Sequence, residues 1–189
     1  MADSKVKNDL RRSALVTAVT GVDAYMHWLV YQRLSDVRNQ GDLPKALGKL
    51  EIPFSDLAQL ADATLSARKR KVKSRPWVQV KHSIQSRLLK ETFQSFDQVA
   101  KAFSLAGVKE PWSRIAAHLG EKSPAIKSRL DNLVHRRNQI VHEGDIARAS
   151  RPQKLKYNDM DHAQTENDVA WIENLIKSAE AVVQAGSPP

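Results

Sequence analysis

The chain has 189 residues with no cysteine, and its 30 Lys and Arg against 21 Asp and Glu give a formal net charge of +9. Disulfides and thiolate metal sites are therefore excluded, and the basic balance favours a polyanion such as RNA as partner. The length suits a single domain over residues 1–189, and no apolar run is long and uncharged enough for a signal peptide or a membrane span. We expect a soluble cytoplasmic protein without a membrane partner.

The first predicted element is a long helix from about Asn8 to Arg38, after a flexible N-terminus at residues 1–7. Apolar residues recur along it at three- and four-residue steps, which is the spacing of a buried helix face. This predicted core stripe contains Leu15, Val19, Val22, Met26 and Leu29.

A second helix is predicted from Ser55 to about Arg68, and it runs into a strongly basic segment. Six Lys and Arg side chains precede Pro76 without an acidic residue among them: Arg68, Lys69, Arg70, Lys71, Lys73 and Arg75. An exposed basic loop can bind RNA phosphates, and Trp77 beside it is able to stack on a base. The alternative is a solvated loop with Trp77 anchored in the core, and the sequence does not decide between the two.

Two further helices are predicted in the middle of the chain. One follows Trp77 and continues to about Ala106, where Gly107 stops it, and a short one ends near Leu119. No strand-like period of two appears anywhere. The predicted fold class is therefore all-α, a helical bundle of about five to six helices.

The C-terminal part of the chain is predicted to hold two more helices. The first is bounded by Ser123, a good N-cap, and by Gly144, a left-handed stop. Residues 146–164 lack an apolar period and are expected to be a mobile loop. Lys154 and Lys156 in this loop can add phosphate contacts, and an inert linker is the alternative. A last helix follows, with Thr165 in a predicted capping box, and residues 186–189 are expected to be a disordered tail.

The helix that ends at Gly144 carries the residues with the most functional information. Arg137 lies in its apolar stripe, an unusual place for a charge, and Asn138 and His142 share a neighbouring face. An always-charged guanidinium beside an imidazole that titrates near neutral pH can stabilise and cleave a phosphodiester. Arg136 is rotated toward the polar side and is expected to be an ordinary solvated charge.

These residues suit RNA cleavage by attack of a ribose 2′-hydroxyl. The reaction needs a base, an acid for the leaving oxygen and a cation for the phosphorane charge, and His142 and Arg137 supply these groups. Because the two side chains are turned ~140° apart on an ideal helix, we expect a two-fold dimer with a composite site. The structural alternative is that Arg137 pairs with a buried carboxylate and His142 caps carbonyls.

Asp23, which borders the core stripe of the first helix, is a further candidate. It can orient Arg137 or His142 in the folded domain. A contact with His27, one turn later in the same helix, is an equally good account of this carboxylate.

Three segments resemble the HEPN domains (higher eukaryotes and prokaryotes nucleotide-binding), and within them the RiboL-PSP subgroup. The segments are GVDAYMHWLVYQRL from Gly21, ETFQSFDQVAKAF from Glu91 followed by PWSRIA, and HRRNQIVHEGD from His135. The resemblance implies a dimeric all-α domain that cuts RNA without a metal or cofactor and leaves 2′,3′-cyclic phosphate and 5′-hydroxyl ends.

Position by position, Arg137 and His142 match the catalytic pair of the ribonuclease members of that family, and Asn138 matches a polar auxiliary. Members controlled by nucleotide modification of a tyrosine carry it where this chain has Gly144. The resemblance also implies a toxin or effector in bacterial defence or a toxin–antitoxin system, with an antitoxin or defence protein as partner. The alternatives are a non-catalytic dimer that binds RNA or a nucleotide, and a purely structural dimerisation domain.

Overall fold

The computed structural model describes residues 2–40, 43–73, 75–147 and 156–185. Within these ranges the chain forms seven α-helices and one short 3₁₀ helix, Leu47–Lys49, so the all-α fold class is confirmed. The α-helices are α1 (Ala2–Gln40), α2 (Phe54–Lys69), α3 (Pro76–Leu88), α4 (Phe96–Ala106), α5 (Pro111–Leu119), α6 (Ser123–Glu143) and α7 (His162–Gln184). None of the helices in the described part of the chain is long and apolar enough to cross a membrane.

Helix α1 is the axis of the fold, and it packs against α3, α4, α6 and α7. Its predicted core stripe is buried, and α6 contributes Ile126, Leu130 and Leu133 to the same core. Because a helix of 39 residues is about 58 Å long, different elements meet α1 at different heights. The turn after α6 contacts the N-terminal part of α1, through Arg12, whereas α3 contacts its C-terminal part, through Ser35.

The predicted third helix is in fact two helices, α3 and α4. Ser95 begins α4 with a capping box, in which its side chain accepts from the backbone N–H of Gln98 and the Gln98 side chain accepts from the backbone N–H of Ser95. Phe93, in the connection before it, is fully buried and donates its N–H to Asp23 of α1. One continuous helix from Trp77 to Ala106 was the wrong prediction, because this capping box and the buried ring start a new helix.

The predicted boundaries of α6 are correct only at its C-terminus. Gly144 ends the helix with a φ of 64°, as predicted. Ser123 does not cap the other end, because Lys122 occupies the N-cap position and no side chain bonds there. The Ser123 hydroxyl instead donates to the carbonyl of Trp112, which ties the start of α6 to α5.

Other predicted boundaries also moved. Residues 2–7, expected to be flexible, already belong to α1, and α7 is capped by Asp161 instead of by Thr165. The Thr165 hydroxyl donates to the carbonyl of Asp161. Of the expected mobile loop, residues 148–155 lie outside the described residues, as does the expected tail at 186–189.

Candidate functional site

A buried carboxylate follows directly after α6. Asp145 has a left-handed φ of 57°, and together with Gly144 it turns the chain sharply away from the helix. The Asp145 carboxylate is fully buried and accepts four hydrogen bonds. Two come from the guanidinium of Arg136, one from Nε of Arg12 at 2.5 Å and one from Nδ2 of Asn158 at 3.0 Å.

This cluster of charges corrects the expectation for Arg136. Its side chain is only 23% exposed and pairs with Asp145, so it is a structural residue and not a solvated charge. Burial by itself raises the pKa of the Asp145 carboxyl, but the hydrogen bonds from Arg136, Arg12 and Asn158 outweigh burial and hold that pKa below its usual range. Likewise, burial lowers the pKa of Arg12, and the hydrogen bonds and charges of Asp145 and Asp9 together more than reverse this.

Asp145 also fixes the chain that returns after the loop. The backbone N–H of Asn158 donates to the carbonyl of Asp145 at 2.9 Å, and Arg12 Nη2 donates to the carbonyl of Asn158 at 2.5 Å. Ile146 and Tyr157 form an isolated antiparallel bridge. The ends of the expected mobile loop are therefore bound to each other and to α1, next to the last turn of α6.

The predicted catalytic residues lie on the last two turns of α6. The Nη1 group of Arg137 donates to Oδ1 of Asn138 at 3.0 Å, whereas its Nε is buried without a hydrogen-bond partner in the described part of the chain. Asn138 and His142, four residues apart, share one face, and His142 is exposed. Among the residues that the structure describes, Arg137 does not pair with a buried carboxylate, because Asp145 binds the neighbouring Arg136 instead.

Apolar residues around Arg137 are incompletely covered. The stripe that is buried at Leu130 and Leu133 continues toward the end of α6, where Ile140 is half-buried and Val141 is 46% exposed. Val141 lies about 40° from Arg137 around the helix. The end of α6 thus presents an apolar surface with a guanidinium in it.

Asp23 does not lie beside these residues. Its carboxylate accepts a hydrogen bond from the N–H of Phe93 and lies 3.8 Å from Nε2 of His27. This geometry agrees with the alternative in which Asp23 contacts His27. Arg12 is the residue of α1 that contacts Asp145, directly after α6. Asp23 is 11 residues later in α1, about 16 Å further along the helix. We therefore do not retain Asp23 as an orienting residue for Arg137 or His142.

The basic segment lies at the opposite end of α1. Its six cationic side chains, all exposed, lie in the last turn of α2 and in the connection to α3, and we call them the basic tip: Arg68, Lys69, Arg70, Lys71, Lys73 and Arg75. Helix α3 is bound to α1 through Lys81 Nζ, 2.8 Å from Oγ of Ser35. Ser35 is 23 residues beyond Arg12, a distance of about 35 Å along α1. Within one chain, the basic tip is therefore remote from Arg137.

Trp77 is a packing residue in the structure. Its ring is half-buried against the core, and its indole Nε1 is buried without a hydrogen-bond partner among the described residues. These contacts support the core-anchoring alternative over base stacking. The aromatic ring that is available near α6 is that of Tyr157, which is 47% exposed and lies 5.5 Å from the guanidinium of Arg12.

Sequence reasoning missed Arg12, Asp145 and Tyr157. Lys156 is exposed beside Tyr157, in a segment whose lack of an apolar period concealed its position. Asp145 did carry a signal, since a carboxylate directly after a helix-ending glycine is well placed to meet a basic residue of the preceding turns. Its partner in α1 could not be identified from local sequence.

The geometry agrees with a comparison against known protein families. The model of the RiboL-PSP-HEPN family matches residues 1–184 of the chain. The chain therefore has a HEPN domain and belongs to the RiboL-PSP-HEPN family. No curated protein and no solved structure matches it.

Replacing Asp145 by Asn should lower the free energy of unfolding at pH 7 by about 3–5 kcal/mol, because two partly buried guanidinium groups lose their fully buried counter-charge. The pKa of Asp145 is lowered in the folded protein, so its stabilisation is present above the ordinary carboxyl pKa of about 4 and is lost as the pH falls through the lowered value. Urea unfolding of both proteins at several pH values should show a difference that shrinks below about pH 4.

The matched control is Asp97→Asn, because the Asp97 side chain is 79% exposed in its pair with Lys127. It should change the stability by less than about 1 kcal/mol at any pH. A loss for Asp145→Asn that is equally small, or that does not depend on pH, would contradict the role of the buried carboxylate.

Proposed function

We propose that the chain is a metal-independent endoribonuclease of HEPN type, which leaves 2′,3′-cyclic phosphate and 5′-hydroxyl ends. The observation that carries the proposal is the state of Arg137, whose Nη1 donates to Asn138 and whose Nε is buried without a hydrogen-bond partner in the described residues. The exposed His142 follows five residues later on the same helix. Membership of a family that includes ribonucleases with an Arg and a His at this spacing supports it.

Each residue has a separate part in the proposed reaction. Asn138 accepts a hydrogen bond from Nη1 of Arg137, which leaves Nη2 to bind non-bridging oxygens of the phosphate as negative charge develops. The attacking 2′-hydroxyl must lose a proton and the leaving 5′-oxygen must gain one. The imidazole of His142, exposed at the end of α6, is the group that transfers these protons.

We infer that two copies of the chain complete the site. Arg137 and His142 are about 140° apart around α6, so one copy does not aim both at a single phosphate. The partly exposed Ile140 and Val141 flank Arg137 and provide an apolar surface for a second α6. A two-fold axis there would supply two arginines and two histidines, enough for separate acid and base roles.

The proposed RNA contact lies at the C-terminal end of α6. Lys156 and Tyr157 are exposed and are held at the α6 end by the bridge to Ile146, so the ammonium can bind a phosphate and the ring can stack on a base. The basic tip, about 35 Å away along α1, is too remote for a short RNA bound at Arg137 of the same chain. This separation also weakens the alternative of a non-catalytic module that grips one short RNA with Arg137 and the tip together.

On the resemblance alone, we propose a cellular role as the toxic or effector part of a bacterial defence or toxin–antitoxin system that acts in the cytoplasm. Its antitoxin or defence partner would restrain the cleavage of RNA. The Gly144 position argues against control by modification of a tyrosine there.

His142→Ala should lower the rate of RNA cleavage by about 10²–10⁴-fold, because it removes the proton-transfer group. Purified protein is incubated with total RNA and a defined tRNA in excess EDTA, and the fragment ends are identified by mass spectrometry. Arg137→Ala should cause a comparable loss, because the phosphorane charge is no longer neutralised.

The matched control is His135→Ala, since His135 is also exposed on α6, two turns before His142. The His135→Ala variant should cleave RNA at the rate of the wild type. Equal activity of all variants would point to a contaminating nuclease, and no cutting by the wild type would leave the proposal without its central support.

Val141→Glu should convert a dimer into a monomer and reduce cleavage, because it places a carboxylate in the apolar surface beside Arg137. Sedimentation equilibrium measures the mass, and the cleavage assay is repeated on the same samples. The control is Leu89→Glu, at another exposed leucine, 68% accessible and outside α6. A wild type that is monomeric and fully active would refute the composite site.

A further inference from the structure

Helix α2 exposes an apolar stripe on the side opposite to its packing partner. It has no buried residue, and its contacts are mainly with α3. The half-buried positions that face inward include Leu60, Ala63 and Ala67. The outward stripe, which we call the α2 face, consists of Phe54 (83% exposed), Leu57 (48%), Ala61 and Leu65 (56%).

The spacing of the α2 face is that of one side of a helix that packs against another helix. Its members follow each other at intervals of three and four residues over three turns. Contiguous exposed apolar residues mark interaction sites on soluble proteins, and an isolated helix of 16 residues is only marginally stable in water. A ligand that covers this face would therefore stabilise α2.

The basic tip adjoins the α2 face directly. Arg68 lies one turn beyond Leu65, on the same side of the helix. Lys69 is the last residue of α2, and the other exposed cations follow between α2 and α3. The tip is about 35 Å along α1 from Arg137, so its charges are not part of the proposed ribonuclease site. A ligand that covers both surfaces must fit the apolar stripe as well as the charges.

Charge distinguishes the candidate ligands. RNA offers phosphates to the tip but no aliphatic side chains to Leu57 and Leu65. A second copy of the chain offers the apolar stripe but the wrong charge, since residues 51–75 carry six cations and only three carboxylates. In a parallel pair the two tips would repel each other, and in an antiparallel pair each tip would meet only Glu51 and the inward-facing Asp56.

We propose that the α2 face and the basic tip together bind an amphipathic helix of a partner protein, with an apolar stripe along its length and carboxylates at one end. The apolar stripe of the partner packs on Phe54, Leu57 and Leu65, which span about 16 Å, and its carboxylates pair with the tip. The apolar contact provides affinity, and the charges fix the direction of the helix and speed its association. This surface is separate from the α6 end and does not depend on the proposed cleavage.

The test uses the full chain and a fluorescein-labelled synthetic helix of about 18 residues, with leucines at intervals of three, four and four residues and glutamates in its last two turns. A scrambled peptide of the same composition is the comparison. Fluorescence anisotropy, without RNA, should show saturable binding of the patterned peptide at least about tenfold tighter than that of the scrambled one.

Two pairs of variants locate the binding. Leu57→Ser with Leu65→Ser should weaken binding about tenfold or more, and Lys69→Glu with Lys71→Glu should do the same and reduce the salt dependence. All four side chains are exposed, so circular dichroism should show unchanged folding. Leu89→Ser, at the exposed leucine used above, is the control and should bind like the wild type.

Three results would overturn the proposal. The first is equal binding of the two peptides, or none at all, which would remove the apolar recognition. A second is an oligoribonucleotide that binds through the tip regardless of Leu57 and Leu65, which would make the tip an RNA contact. The third is self-association that Leu57→Ser with Leu65→Ser abolishes, which would make a second copy the ligand. Cleavage of RNA is not measured, so failure here is distinct from failure of the proposed ribonuclease.

Discussion

The arrangement of the α6 end depends on the buried carboxylate of Asp145. It joins α1 through Arg12, α6 through Arg136 and the returning chain through Asn158. A buried charge is stable only when it is paired and hydrogen-bonded, and here both oxygens are fully satisfied. Because Asp145 pairs with Arg136, the guanidinium of the neighbouring Arg137 keeps hydrogen-bond donors for another ligand. Two adjacent arginines thereby acquire different tasks, one in stability and one in the proposed chemistry.

Two surfaces of the chain combine exposed apolar residues with cationic side chains, and they lie at opposite ends of α1. At the α6 end, the uncovered apolar residues surround a guanidinium, which suits a second copy together with a phosphate. At the other end, the α2 face and the basic tip suit an acidic helix. The length of α1 keeps these surfaces about 35 Å apart, so the proposed RNA site and the proposed protein-binding site do not overlap.

The sequence predicted what depends on local periodicity. The core stripe of α1, the end of α6 at Gly144 and the placement of Arg137, Asn138 and His142 on the last turns all follow from helical spacing. Long-range contacts were not predictable, because Arg12 and Asp145 are 133 residues apart in the chain. For the same reason the sequence could not place the basic tip far from Arg137. The break before α4 was predictable in principle from Ser95 and Gln98.

The proposed chemistry is tested most directly by removing the attacking group from the substrate. An oligoribonucleotide with one mapped cleavage site is made with a single 2′-deoxy substitution at the nucleotide on the 5′ side of that site, and both forms are incubated with wild-type protein in excess EDTA. If the 2′-hydroxyl attacks with the help of Arg137 and His142, cutting at the substituted position stops while the unsubstituted RNA yields a 2′,3′-cyclic phosphate. Cutting of both forms, or products with 5′-phosphate ends, would contradict the mechanism.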